Sequence, residues 1–192
     1  GQPLQAFDYH ELAEHRIQVR TANADEKIVT LDGQERQLNE EMLLICDGAR
    51  AVAVAGVMGG ENTEVTEQTT DVFIEAAYFN PVSVRRTSTK LGLRSEASIR
   101  FEKGINMETV LKAAERAAQL MQLRGGCVVV CCAVDNYPTK HETVTIELPL
   151  KKVNALLGTE ISDAKIKEIL QSLNFRIIKE SGDSITVEVP GY

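Results

Sequence analysis

One carboxylate in this sequence stands where solubility alone does not call for it. Glu75 lies in the run Phe73-Ile74-Glu75-Ala76-Ala77, flanked by apolar residues on both sides. In a strand, alternate side chains share a face, so Glu75 lies with Phe73 and Ala77 on a face that is expected to be at least partly buried. A buried carboxylate finds partners or gives up its charge. The second feature is a glycine corner, Gly56, Gly59 and Gly60, at the end of the apolar run Ala51 to Ala55. A bare main chain lets a ligand or a water approach closely. The acid and the glycine corner are together the candidate site. A structural salt bridge explains a buried acid as readily, and a plain tight turn explains the glycines.

The chemistry these residues do not support is also plain. His10 and His15 are five apart, whereas a helical zinc pair needs four, and Glu14 occupies that place. There is no nucleophile elbow and no phosphate loop, and Gly56, Gly59 and Gly60 do not make a dinucleotide fingerprint. The cysteines Cys46, Cys127, Cys131 and Cys132 lack paired C-x-x-C spacing and read as small apolar strand residues of a reducing compartment. A net charge of −7 over 192 residues argues against a free-standing nucleic-acid binder, though a local basic patch can still hold a tRNA already bound by a larger partner. Arg85, Arg86, Lys90 and Arg94 nevertheless gather along and just beyond one helix, either as a solvated face or as a contact for a nucleic-acid backbone. With 43% hydrophobic and 26% charged residues, the composition is that of an ordinary globular protein. No apolar run is long enough for a membrane span, and the chain opens at Gly1 as if inside a domain.

The elements that must position the acid and the corner follow from local signals. Met42 to Cys46 and Ala51 to Ala55 flank Asp47-Gly48-Ala49-Arg50 and predict a hairpin. Ile17 to Thr21 and Lys27 to Leu31 predict strands, and Asp8 to Glu14 a short helix after the loop Gly1 to Phe7. Val72 to Ala77 is the strand of Glu75. Asn80 followed by Pro81 opens a helix that Gly92 stops. A longer helix runs from Met107 to about Leu123, with Val110, Ala114, Ala117, Ala118 and Met121 along one stripe, and Cys127 to Val134 returns as a strand. Residues 136–140 read as a linker, which divides the chain into 1–138 and 139–192. Beyond it come a strand, two helices and a hairpin closing on Ser181-Gly182-Asp183, the order of a winged-helix module, incomplete at Tyr192. The fold class is α+β.

Several phrases in this order resemble one family. GQPLQAFD at Gly1 to Asp8, VAGVMGG at Val54 to Gly60, IEAAYFNP at Ile74 to Pro81 and RTSTKLGLRSEASIRFEKG at Arg86 to Gly104 are similar to the beta subunits of bacterial phenylalanyl-tRNA synthetases. So is the stretch from Leu156 to Pro190. The resemblance implies a mixed-sheet editing domain, B3/B4, without its first helices and strands, followed by part of the B5 module. It implies an enzyme of the cytoplasm, two alpha and two beta subunits, that joins phenylalanine to tRNA(Phe) using ATP and Mg2+. The aminoacylation site, and with it those cofactors, belongs to the alpha subunit. This part carries no cofactor or metal, and its expected ligand is the tyrosyl end of misacylated tRNA(Phe).

Residue by residue, the resemblance makes Glu75 the reader of the tyrosine hydroxyl. Gly59, with Gly56 beside it, lines the pocket, Ser95 stands where many members have Thr, and Ala97 leaves room for the ring. Backbone groups of Gly59 and Gly60, with Gln5, are expected to hold the attacking water. Gln5 is a departure, since the family usually has His there. Glutamine donates and accepts hydrogen bonds but takes no proton near neutral pH. Two readings follow: an active proofreading site, or a structural and tRNA-docking part of the beta subunit whose editing has decayed. A free-standing amino-acid-binding module is the third and weakest.

Overall fold

In this computed structural model the protein is described over residues 4–130, 133–140 and 142–191. It divides into two compact units, Gly1–Val130 and Cys131–Tyr192. Cys131, Cys132 and His141 lie outside the described residues.

The first unit holds β1 (Leu4–Asp8), two 3-10 turns (Tyr9–Glu11 and Ala13–His15), β2 (Gln18–Thr21), β3 (Lys27–Val29), β4 (Glu35–Gln37), β5 (Leu43–Cys46), β6 (Ala51–Val54), β7 (Met58–Gly59) and β8 (Val72–Ala76). The helices α1 (Pro81–Lys90), α2 (Glu96–Phe101) and α3 (Val110–Gly125) follow. The second unit has β9 (Thr145–Pro149), α4 (Leu150–Leu157), α5 (Asp163–Ser172), β10 (Arg176–Ser181) and β11 (Ser184–Glu188). Every pairing among the described strands is antiparallel: β2-β5-β6-β7, β3-β4 and β1-β8 in the first unit, β10-β11-β9 in the second. The α+β class expected from the sequence holds.

The core of the first unit centres on β5 and β6. All four residues of β6 are buried, because Ala and Val fill both faces of a strand covered on each side. The turn between β5 and β6 is built on Asp47, whose carboxylate is buried and accepts from the backbone N–H groups of Ala49 (2.8 Å), Arg50 (2.8 Å) and Ala13 (3.1 Å). Burial pushes its pKa up, but these donors outweigh that and hold it below the usual carboxylate value. Asp47→Ala leaves three donors without an acceptor, and a loss of about 2–4 kcal/mol is expected in urea denaturation. A loss under about 0.5 kcal/mol would show that the turn stands without this carboxylate.

Three expectations are corrected. The segment Leu4–Asp8 is a strand and not a loop, paired along its length with β8. Asp8 to Glu14 forms two separate 3-10 turns, broken by Leu12 and by Glu14, whose φ of 59° is not helical. The run from Cys127 onward forms no strand among its described residues, and Cys127 is exposed. A strand needs a backbone partner, and no described segment supplies one. The long helix begins with a 3-10 turn (Met107–Thr109), ends at Gly126 in the left-handed conformation, and buries none of its residues fully; Met121 is exposed. In the second unit, Leu150, Ile166, Ile185 and Val187 form a small separate core.

Candidate functional site

The corner forms because β6 runs into Gly56, whose φ of +69° turns the chain back into β7. A Cβ on Gly56 would lie 2.9 Å from both Phe79 and Val84, so the chain there is packed against the start of α1. Asn80 caps α1 through Val82 and Ser83, and Pro81 sets its first turn.

The pairing of β1 with β8 sets Gln5 directly opposite Glu75. Both line one recess, together with Leu4, Gly56, Val57, Gly59, Phe79, Ala97 and Phe101. The Gln5 amide nitrogen lies 2.7 Å from where a Cβ of Gly59 would be, so the missing side chain of Gly59 is the seat of the Gln5 carboxamide. Phe79 and Phe101 meet edge to face with centroids 5.0 Å apart and form the aromatic side of the recess. Ala97 and Phe101 are four residues apart on α2 and share a face.

Glu75 is half-buried, with no hydrogen bond or ion pair to any described residue. Burial raises its pKa to about 7. Near neutral pH it is therefore present both as a carboxylic acid, which donates and accepts, and as a carboxylate, which only accepts. The recess measures about 40 Å³, room for about one water and not for a phenol ring. Admission of a ring requires the lining to move. Gln5 is lightly held: among the described residues its side chain makes one hydrogen bond, to the adjacent Ala6 carbonyl at 3.2 Å.

Two expected site residues do something else. Ser95 does not line the recess. Its hydroxyl donates to the Val57 carbonyl at 2.5 Å and accepts from the Ser98 N–H at 3.0 Å, while the Ser98 hydroxyl accepts from the Ser95 N–H. This reciprocal cap starts α2 and ties it to the glycine corner, so Ser95 positions Ala97. Gly60 is also outside the lining, and its N–H donates to the Val52 carbonyl at 2.7 Å, so that N–H is already engaged. Gln5, Gly56, Gly59, Glu75 and Ala97 do come together.

The cations stand apart from the recess. Arg85 and Arg86 are exposed, Lys90 is engaged by Glu41, and Arg94 lies 3.6 Å from Glu102. Sequence reasoning missed Phe101, hidden in a polar stretch; its spacing from Ala97 was the available signal. It also missed Leu4, in a segment read as a loop. A wider hollow of about 710 Å³ beside β3 and the β5–β6 turn includes Arg20 and Lys27, which are already paired with Glu26 and Glu35. Among the described residues, no group of three or more His, Cys, Asp or Glu is placed to hold a metal, and no helix is long and apolar enough to cross a membrane.

The B3/4 domain family model matches residues 1–125, and that of the tRNA synthetase B5 domain matches residues 146–192. The phenylalanine-tRNA ligase beta subunit of Moorella thermoacetica is 53% identical over the whole of this chain, and that of Carboxydothermus hydrogenoformans 50% identical. The chain covers 24% of the length of each, about a quarter of these curated relatives. A solved N-terminal fragment of the phenylalanyl-tRNA synthetase beta-subunit from Pyrococcus horikoshii aligns with 98% of this chain and 54% of its own, at 17% identity and a TM-score of 0.45.

Proposed function

The chain belongs to the B3/4 domain family, in the form carried by phenylalanine-tRNA ligase beta subunits, and from that premise we propose that its recess hydrolyses tyrosine wrongly esterified to tRNA(Phe). The observation that carries the proposal is the unpartnered Glu75 carboxyl in an aromatic-lined recess beside Gly56 and Gly59.

The need for such a site is physical. A synthetic pocket shaped for a phenyl ring rejects an isostere with one added hydroxyl only by about a hundredfold. A second site whose polar group pairs with that hydroxyl can discriminate by about ten-thousand-fold, because phenylalanine leaves the polar group buried and unpaired. Glu75 supplies that group: its carboxylate accepts from the phenolic O–H, and its acid form donates to the phenolic oxygen. Phenylalanine offers neither.

In this reading hydrolysis proceeds by direct attack of water on the ester carbonyl, with the ribose oxygen leaving and taking up a proton. The Ser95 hydroxyl and the Gly60 amide are already engaged, so Gln5 is the remaining polar side chain of the recess beside Glu75. Its carboxamide orients the water but takes no proton, and a ribose hydroxyl of the tRNA assists. Aminoacylation, with its ATP and Mg2+, is assigned to the rest of a larger cytoplasmic enzyme that includes the alpha subunit.

Glu75→Ala in the complete ligase should slow tyrosine release from Tyr-tRNA(Phe) by about 10- to 100-fold, the worth of one hydrogen bond to a charged or buried group. Synthesis of Phe-tRNA(Phe) should continue. Unchanged tyrosine release removes Glu75 from the reaction. The rival reading, a docking part with decayed editing, is favoured by Gln5 in place of the usual His and by the small recess. A wild-type rate no higher than spontaneous ester hydrolysis would favour that rival.

A further inference from the structure

We propose that the outer surface of α1, together with the chain just after α2, is a docking face for an RNA backbone. This rests on the reading of a tRNA-linked substrate above and assigns where the rest of that substrate is held. Residues 81–104 contain six basic side chains against two acidic ones, whereas the remainder of the chain has fifteen basic against twenty-six acidic. A segment of net +4 within an otherwise strongly acidic chain is a local exception to the overall charge, and polyanions respond to such local fields.

The structure sorts the six. Lys90, Arg94 and Arg100 are paired with Glu41, Glu102 and Glu96. Arg85, Arg86 and Lys103 are exposed and form no ion pair with any described residue, although Arg86 shares the field of Glu41. Their placement is coherent. Gly104 lies against Pro81, with a Cβ position 3.9 Å from the proline ring, which brings Lys103 beside the first turn of α1. Arg85 is one turn further along the Pro81 face of that helix.

The same segment also packs against the recess: α1 backs its glycine corner and α2 lines it. Val84, next to Arg85, is buried where the Gly56 corner packs, and α2 contributes Ala97 and Phe101 to the lining. A substrate with its ester in the recess and a chain of phosphates beyond it would therefore meet cations on the outside of the elements that hold the ester. Exposed Arg and Lys contact phosphates without regard to sequence, which suits a face that positions and does not select.

The test uses unacylated tRNA(Phe) as the probe and reads its binding to the chain by fluorescence anisotropy between 50 and 200 mM salt. Each phosphate contact contributes about 0.7–0.9 to the slope of log affinity against log salt. The triple variant R85A/R86A/K103A should lose about 2–2.7 of that slope, so that a fourfold rise in salt weakens the wild type about 20- to 40-fold more than the variant. Replacing Lys151, Lys165 and Lys167 with Ala, which removes the same charge from lysines paired with Asp183, Glu168 and Glu180, should leave the slope unchanged.

An unchanged slope in the triple variant, an equal loss in the lysine control, or no tRNA binding by the wild type each overturns the proposal. If the triple variant keeps its RNA slope but loses binding to poly-glutamate, the face belongs to an acidic protein partner instead. NMR shifts of Glu75 on adding tyrosine separate this inference from the one beneath it. A wild type that shows the RNA slope but no tyrosine response sinks the editing reading alone.

Discussion

At pH 8.5 the Glu75→Gln chain should be more stable than the wild type by about 3 kcal/mol, and at pH 4 the two should unfold alike. The sign follows from where the proton is held. The carboxyl has a pKa of about 7 in the folded chain, against an ordinary value of 4.5. Below 4.5 both folded and unfolded states keep the proton, so Glu75 contributes nothing to pH dependence. As pH rises from 4.5 to 7 the unfolded state releases the proton while the folded state retains it, and stability falls. Above 7 the penalty is constant. Glutamine has nearly the same shape and no charge at any of these pH values, so it removes the penalty and little else. Other titrating groups, such as Asp47, are common to both chains and cancel in the difference. Urea denaturation of both chains from pH 4 to 8.5 measures it, and parallel profiles would show that Glu75 ionises in the fold as easily as in water.

What the sequence made legible was local. The hairpin of β5 and β6 and the helix after Asn80-Pro81 were readable because a turn, a cap and a stop residue lie within a few positions of what they control. Glu75 and the glycine corner stood out by residue type against their neighbours. The strand β1 was not readable, because its partner β8 is more than sixty residues away and pairing of that kind leaves no mark on spacing. Without β1, nothing in the sequence sets Gln5 across from Glu75. The run from Cys127 shows the converse: its β-branched pattern predicts a strand, but a strand also requires a neighbour. Ser95 and Gly60 stand out as residue types, and only the fold shows that the serine hydroxyl and the glycine amide are spent on Val57 and Val52.

The corner provides a second large effect, and its value lies in a contrast between two glycines three residues apart. Gly56→Ala should destabilise the chain by about 3 kcal/mol, from the cost of a side chain at positive φ together with overpacking. The added methyl would lie 2.9 Å from the Phe79 ring and from a Val84 methyl, and neither buried neighbour has space to retreat. Gly59→Ala should cost less than about 1 kcal/mol. Its φ is not in the left-handed region, and the new methyl meets the ends of two flexible side chains, Gln5 at 2.7 Å and Leu31 at 3.1 Å. What Gly59→Ala should change is the position of Gln5, seen as a shift of its side-chain amide resonance in a chain that still folds. If the recess edits through a water that Gln5 orients, this variant loses tyrosine release while its urea midpoint stays close to that of the wild type. Equal destabilisation by the two substitutions, or an unmoved Gln5 amide, would mean that Gln5 does not rest on Gly59 and that the water must be held by another group.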